Sequence, residues 1–109
     1  LGDVYKRQRP ALRKSLQVQD DVVRRRVTVH GRVQGVFFRD STRERANAHG
    51  VAGWARNRSD GSVEAVLEGP ADAVERVLRF VQTGPARAQV ERVDVSEEEP
   101  EGLTGFEIR

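Results

Sequence analysis

An arginine that follows a glycine-punctuated run is the feature of this sequence best suited to chemistry. The run GRVQGVFFR occupies residues 31–39, with two glycines four positions apart, after an alternating apolar segment and before a segment typical of a helix. A strand, a glycine-containing turn and a helix start can gather several backbone N–H groups around one anion. Arg39 would stand against the positive end of the helix dipole, which is unfavourable unless an anion lies between its guanidinium and the loop amides. The run therefore predicts a phosphate-binding loop.

Purely structural roles can also explain these residues. Gly31 and Gly35 fit neither a Walker A loop nor a dinucleotide fingerprint, so on spacing alone they can be turn glycines. Asn57 precedes a turn containing Asp60-Gly61, where an asparagine side chain often caps its own backbone. From the residues alone, both the structural and the functional interpretations stay open.

The flanking sequence predicts the elements that would position this loop. Apolar alternation and turn signals predict strands over residues 24–30, 51–57, 62–68, 88–96 and 106–109, and helices over residues 39–48 and 71–83. The second helix has an apolar stripe at Val74, Val77, Leu78 and Val81. In the fourth strand, Val90 falls out of phase with Val93 and Val95, which predicts a bulge or a register offset.

Two helices that must bury their apolar faces require a sheet to cover. The order strand, helix, strand, strand, helix, strand is typical of the ferredoxin-like βαββαβ split arrangement. We therefore predict an α+β fold, with two helices on one face of an antiparallel sheet and a short extra strand at the C-terminal end. The polar side of the first strand, including Arg24, is expected to face solvent. The carboxylates of residues 97–101 are expected to be solvated, not to form a metal site.

Composition narrows the class of protein. The chain has 109 residues, no cysteine and two histidines. Thiolate nucleophiles and zinc–cysteine sites are therefore excluded, and a histidine-only metal site lacks ligands. His30 is interpreted as a strand-end polar residue, and His49 as a helix-end cation. No apolar run approaches the length of a membrane span, and no secretory signal is evident at the start, so a cytoplasmic location is expected.

The basic charge is concentrated at the start of the chain. Residues 1–26 carry eight Lys or Arg and three Asp, a net charge of +5, whereas residues 27–109 carry eleven Arg and fourteen acidic residues, a net charge of −3. The acidic balance of the second part disfavours nucleic-acid binding, which requires phosphate neutralisation. Residues 1–23 are predicted to be a disordered leader, and residues 24–109 the folded domain. The first eight residues resemble a translated sequencing-adapter remnant; a basic arm for an acidic partner is the alternative.

Two separated blocks of the sequence resemble the acylphosphatase family. The first is the run at residues 31–39; the second is GVAGWARN at residues 50–57, followed by Asp60-Gly61 and Val63-Glu64. The ending FEIR at residues 106–109 also resembles the family's ending, so the resemblance spans about residues 27–109.

The resemblance implies hydrolysis of the carboxyl–phosphate bond of acyl phosphates, without metal or cofactor. Arg39 matches the family's catalytic arginine, and Asn57 matches the asparagine that positions the attacking water. Gly31 and Thr42 are assigned supporting roles, although Thr42 can also be a helix-surface residue. Phe37, Phe38 and Trp54 are interpreted as core or pocket wall. The phosphate would be held by the main-chain amides of Val33, Gln34, Gly35, Val36, Phe37 and Phe38.

The expected partners are a small-molecule acyl phosphate and inorganic phosphate as an inhibiting product, with no nucleic acid and no membrane, and the protein is expected to be monomeric. Because the leaving group is a carboxylate with a pKa near ~4, no strong general acid is needed. Two alternatives remain. The chain could be a non-catalytic phosphate- or ligand-binding module of the same fold, or an acylphosphatase-like domain of a carbamoyl phosphate-processing maturation protein.

Overall fold

The computed structural model describes residues 21–109, which form one five-stranded sheet and two helices. The sheet order is β4-β1-β3-β2-β5; β5 pairs in parallel with β2, and every other pairing is antiparallel. The ferredoxin-like α+β prediction is confirmed, with the sheet mixed at its β5 edge. In chain order the elements are β1 (Val22–Arg32), α1 (Phe38–His49), β2 (Ala52–Asn57), β3 (Val63–Pro70), α2 (Ala71–Val81), β4 (Gln89–Glu98) and β5 (Phe106–Ile108).

The apolar core lies between the helices and one face of the sheet. Val27 and Val29 of β1 alternate toward this layer and are fully buried. The predicted stripe of α2 is confirmed, because Val74, Val77, Leu78 and Val81 are all buried against the same layer. Burial of this stripe is the main reason for α2 to fold onto the sheet.

The first strand is longer than the sequence predicts. Val22 pairs with Pro70 and Val23 with Gly69, so two residues assigned to the leader belong to β1. The rest of the predicted leader, residues 1–20, lies outside the described residues. The strand continues to Arg32, so the predicted phosphate-binding loop leads directly from the end of β1.

The predicted irregularity in the fourth strand is a bulge opposite the start of that loop. His30 pairs with Arg92, but Gly31 pairs with Val90, so Glu91 is an extra residue on β4. Gly31 has φ 128°, and a Cβ there would collide with the main-chain oxygen of Gln89. Gly31 is therefore required by the close approach of β4, and it lets β1 change direction into the loop.

The opposite face of the sheet carries charged side chains, and one of them departs from expectation. Arg24 is only 4 % exposed, although the strand pattern assigns it to the solvent side. It is covered by ion pairs to Glu68 at 3.2 Å and Glu98 at 2.9 Å. Glu98 also accepts from Arg26 at 2.6 Å, so this carboxylate of the acidic segment is paired and not simply solvated.

Glu68 fastens the segment between β4 and β5 to the sheet. Its carboxylate accepts the backbone N–H groups of Glu101 at 3.0 Å, Gly102 at 2.7 Å and Leu103 at 2.9 Å, besides the guanidinium of Arg24. A carboxylate that is 3 % exposed is tolerated here because its oxygens are satisfied by these donors. This attachment leads the chain into β5, at the edge beside β2.

Candidate active site

The predicted phosphate-binding loop and the two predicted catalytic residues meet in one concavity of about 320 Å³. Arg39 enters it from the first turn of α1, and Asn57 from the end of β2. Residues eighteen positions apart in sequence thus face the same space because β1 and β2 run in the same direction, each antiparallel to β3. The lining residues are Val33, Gly35, Phe37, Phe38, Arg39, Asp40 and Asn57.

The backbone of the loop has the form of an anion-binding nest. Gly35 has φ 74° and Phe37 has φ 63°, while Val36 between them has a negative φ. Alternation of positive and negative φ along neighbouring residues can turn their N–H groups toward one side. Within residues 21–109, the amides of residues 34–37 donate to no protein acceptor. Their donors therefore remain available to an anion.

Phe37 is the one non-glycine residue with positive φ in the described part of the chain. A left-handed conformation costs a residue with a Cβ about 1–2 kcal/mol, so it must be imposed by its surroundings. Phe37 immediately precedes α1 and acts as its N-cap residue without a side-chain cap. The next residue, Phe38, is 2 % exposed and anchors the helix start in the core. Phe37 and Phe38 were both predicted to be core or pocket wall. In the structure Phe38 belongs to the core, whereas Phe37 is exposed and lines the concavity.

Arg39 is held by the far end of the chain. Its Nη1 donates to the main-chain oxygen of Arg109 at 3.1 Å, and the N–H of Arg109 donates to the carbonyl of Ala55 at 2.8 Å. The guanidinium has five N–H donors in a fixed plane, so one contact to Arg109 leaves others for an anion. Arg109, the residue that follows β5, therefore contributes to the site, a contact that the sequence pattern did not reveal.

Asn57 ends β2 and is solvent-exposed beside the loop. The alternative role, capping of its own turn, belongs to Asp60. The Asp60 carboxylate accepts from the N–H of Ser62 at 2.9 Å and from its hydroxyl at 2.6 Å, and the hydroxyl chiefly lowers the pKa of Asp60. Among residues 21–109, the carboxamide of Asn57 has no hydrogen-bond partner, so it remains available to a ligand or a water.

Two of the loop residues named as substrate-binding do not line the concavity. The Gln34 carboxamide nitrogen instead donates to the main-chain oxygens of Arg58 at 2.7 Å and Ser62 at 2.9 Å. Gln34 therefore ties the loop to the β2–β3 turn that carries Asn57. Val36 is 8 % exposed and packs into the core. Only the main-chain amides of these two residues can serve an anion.

Thr42 is buried within α1 instead of lying on its surface. Its hydroxyl donates to the carbonyl of Phe38 at 2.8 Å, and the residue is 1 % exposed. The hydroxyl thus contacts the junction between the loop and the helix.

Asp40 lines the concavity but was not predicted to do so from the sequence. The sequence feature that could have indicated it is its position directly after Arg39, in the first turn of α1, where a carboxylate interacts favourably with the helix dipole.

Residues 21–109 contain neither a candidate metal cluster nor a helix that could span a membrane. No three side chains of histidine, aspartate or glutamate gather there as candidate metal ligands. None of the helices in that part of the chain is long and apolar enough to span a membrane. The two histidines lie elsewhere: His30 contacts Asp94 at 3.1 Å on the sheet, and His49 ends α1.

Comparison with known proteins agrees with this geometry. Residues 25–108 match the acylphosphatase family. The acylphosphatase of Rubrobacter xylanophilus is 60% identical over 85 residues, a match that covers 77% of this chain and 77% of that protein.

Solved structures of acylphosphatases also superpose on this chain. The acylphosphatase from Coxiella burnetii superposes with a TM-score of 0.78 at 38% identity, covering 81% of this chain and 93% of that one. The acylphosphatase from Bacillus subtilis superposes with a TM-score of 0.77 at 38% identity, covering 80% and 98%. The chain belongs to the acylphosphatase family.

Proposed function

We propose that this protein hydrolyses the carboxyl–phosphate bond of acyl phosphates, without a metal or cofactor, to give a carboxylate and inorganic phosphate. The observation that carries the proposal is the meeting of three features in one concavity. These are the unpaired loop amides, the guanidinium of Arg39 and the carboxamide of Asn57. Together they supply donors for a phosphoryl group and a polar group for water.

In this proposal the loop and Arg39 bind the phosphoryl oxygens. Main-chain N–H groups fix the oxygens by position, and the planar guanidinium donates in a fork that a lysine cannot reproduce. Charge on the phosphoryl oxygens is then matched by donors already in place, which is how phosphoryl transfer is mostly catalysed. The contact from Arg39 to Arg109 restricts the orientation of the guanidinium before substrate binds.

Asn57 positions the attacking water. Its carboxamide would hold a water in line with the phosphorus–oxygen bond to the leaving carboxylate. The water oxygen forms a bond to phosphorus, the bond from phosphorus to the carboxyl oxygen breaks, and the electron pair leaves with the carboxylate. The water's proton passes to a phosphoryl oxygen. Because a carboxylate is a weak base, no protein acid is required.

The remaining features of the proposal follow from the same site and from composition. Phosphate, the product that retains the bound oxygens, should inhibit competitively. The absence of cysteine suits a reducing compartment, so we assign the protein to the cytoplasm. The acidic balance of residues 27–109 disfavours nucleic acid as a partner, and the single-chain site supports a monomer.

The matches favour acylphosphatase over the carbamoyl phosphate alternative, because they cover nearly the whole of two solved acylphosphatases. Hydrolysis of benzoyl phosphate, measured with and without EDTA, tests the proposal against the non-catalytic module. We expect turnover that EDTA leaves unchanged and that Arg39→Gln removes. Phosphate binding without turnover would support a binding module, and loss of turnover in EDTA would refute the metal-independent mechanism.

A further inference from the structure

The acyl half of the substrate must lie at the rim of the concavity. In the proposed function, the loop amides and Arg39 hold the phosphoryl group at the base, between the end of β1 and the start of α1. The leaving carboxylate lies opposite the attacking water and therefore points away from Asn57. Among the lining residues, Phe37 and Asp40 are the exposed side chains that remain for the acyl group to meet.

Phe37 presents an aromatic surface without burying it. Its exposure is 68 %, the highest among the exposed large apolar residues of the described chain, whereas the adjacent Phe38 is 2 % exposed. The left-handed backbone at Phe37 turns its side chain away from the core while Phe38 enters it. An exposed ring in a strained backbone position at the mouth of a site is well placed to pack against a ligand.

Asp40 adds a negative charge to the same rim. Its side chain is 58% exposed, and the nearest cation is the Nη2 of Arg43 at 3.6 Å, on a side chain that is 47% exposed. A pair this exposed neutralises the carboxylate only weakly. An acyl group with its own carboxylate would therefore meet a like charge beside the phosphoryl site.

We propose that the preferred substrates are acyl phosphates with an uncharged, apolar and preferably aromatic acyl group, selected by contact with Phe37 and by repulsion of anionic acyl groups by Asp40. This inference rests on the proposed function and concerns only its acyl specificity. Phe37 thereby has two separate roles: its amide belongs to the phosphate nest, and its ring contacts the acyl group.

The test compares kcat/KM for benzoyl, acetyl and succinyl phosphate, where the succinyl group carries a free carboxylate. Ratios between substrates within one variant cancel any general change in activity. The variants are Phe37→Ala, Phe37→Tyr and Asp40→Asn. The matched controls are Val95→Ala, an apolar side chain that is 47% exposed on β4, and Asp72→Asn, the acidic residue in the first turn of α2.

Loss of the ring should lower the preference for an aromatic acyl group. We expect Phe37→Ala to lower the benzoyl-to-acetyl ratio by about threefold to tenfold, the size of one aromatic contact, and Phe37→Tyr and Val95→Ala to keep the wild-type ratio. All substrate ratios are measured on the intact chain, and thermal unfolding confirms that each variant is folded.

Loss of the charge should change discrimination against the anionic acyl group. We expect Asp40→Asn to raise the succinyl-to-acetyl ratio by about twofold to fivefold at low ionic strength, and the gain to shrink in 1 M salt, where screening extends only ~3 Å. Asp72→Asn should leave that ratio unchanged.

An unchanged benzoyl-to-acetyl ratio in Phe37→Ala, or an unchanged succinyl-to-acetyl ratio in Asp40→Asn, overturns the inference while leaving the proposed function intact. Wild-type protein that hydrolyses none of the three substrates instead overturns the proposed function itself.

Discussion

The guanidinium of Arg39 donates from Nη1 to the main-chain oxygen of Arg109, 3.1 Å away and 70 positions later in the chain. Arg109 is itself fixed by its N–H bond to Ala55 and by its guanidinium, which lies 4.7 Å from the centroid of the Trp54 ring. The arginine of the proposed phosphate site is therefore positioned by the residue that follows β5 as well as by its own helix.

Replacement of Arg39 tests the phosphate clamp. We expect Arg39→Gln to lower kcat/KM by about 10³ or more, the range for an arginine that neutralises phosphoryl charge, and to weaken inhibition by phosphate while the protein stays folded. Arg45→Gln, which changes an exposed arginine of the same helix that does not line the concavity, is the matched control. Activity of Arg39→Gln within threefold of wild type would remove the clamp role.

Replacement of Asn57 tests the positioning of water. We expect Asn57→Ala to lower kcat by about 10²–10³, the size of losing one preorganised polar group. The inhibition constant for phosphate should change little, because in the proposed mechanism the carboxamide orients water and does not hold the phosphoryl group. Asn47→Ala, on the exposed side of α1, controls for loss of an asparagine elsewhere. A large rise in that inhibition constant would mean that Asn57 binds the ligand directly.

Replacement of Gln34 tests the link between the loop and the turn. Its two bonds, to Arg58 and Ser62, hold the proposed phosphate-binding loop beside the strand end that carries Asn57. We expect Gln34→Ala to lower kcat/KM by about 10- to 100-fold through misplacement of the two halves of the site. The free energy of unfolding should fall by about 1–3 kcal/mol for the two lost bonds.

Gln82→Ala at the end of α2 is the control for that experiment. Steady-state kinetics and urea unfolding separate the two effects. Unchanged kinetics in a destabilised Gln34→Ala protein would show that the link serves the fold and not the site.

Acid should destabilise the fold through the carboxylates on the open face of the sheet. Burial, the largest single influence, raises the pKa of Glu68, but the amides of Glu101 and Leu103 and the guanidinium of Arg24 together lower it below its ordinary value. A carboxylate with a lowered folded pKa stabilises the native state above its unfolded pKa of about 4.3. That stability is lost as the pH falls through the lower, folded pKa.

We expect Glu68→Gln to lower the free energy of unfolding at pH 7 by about 3 kcal/mol, because buried Arg24 loses a partner, and to flatten the dependence of stability on acid pH. Glu97→Gln, at a carboxylate that is 81% exposed, should change neither quantity. Urea unfolding between pH 7 and pH 3 provides the measurement. An equally steep loss of stability in acid for Glu68→Gln would assign the effect to other carboxylates.

Periodicity and turn chemistry were sufficient to predict the order of elements. The stripe of α2 and the bulge in β4 are local patterns, and each is present in the structure. The boundaries were less accurate. Val22 and Val23 extend β1 because their pairing with β3 depends on partners more than forty positions away, which no local window contains.

For the site as well, part of the description follows from local sequence and part only from the tertiary structure. The sequence by itself indicated the loop with its glycines and the arginine at the helix start, because these follow from local backbone and helix-dipole requirements, and its resemblance to the acylphosphatase family pointed to Asn57. Only the tertiary structure decided that Arg39 is held by Arg109, that Gln34 ties the loop to the turn after Asn57, that Arg24 is buried and that Phe37 faces solvent beside Asp40. These are contacts between elements brought together by sheet pairing, and their energies depend on distances in space that residue type and spacing do not specify.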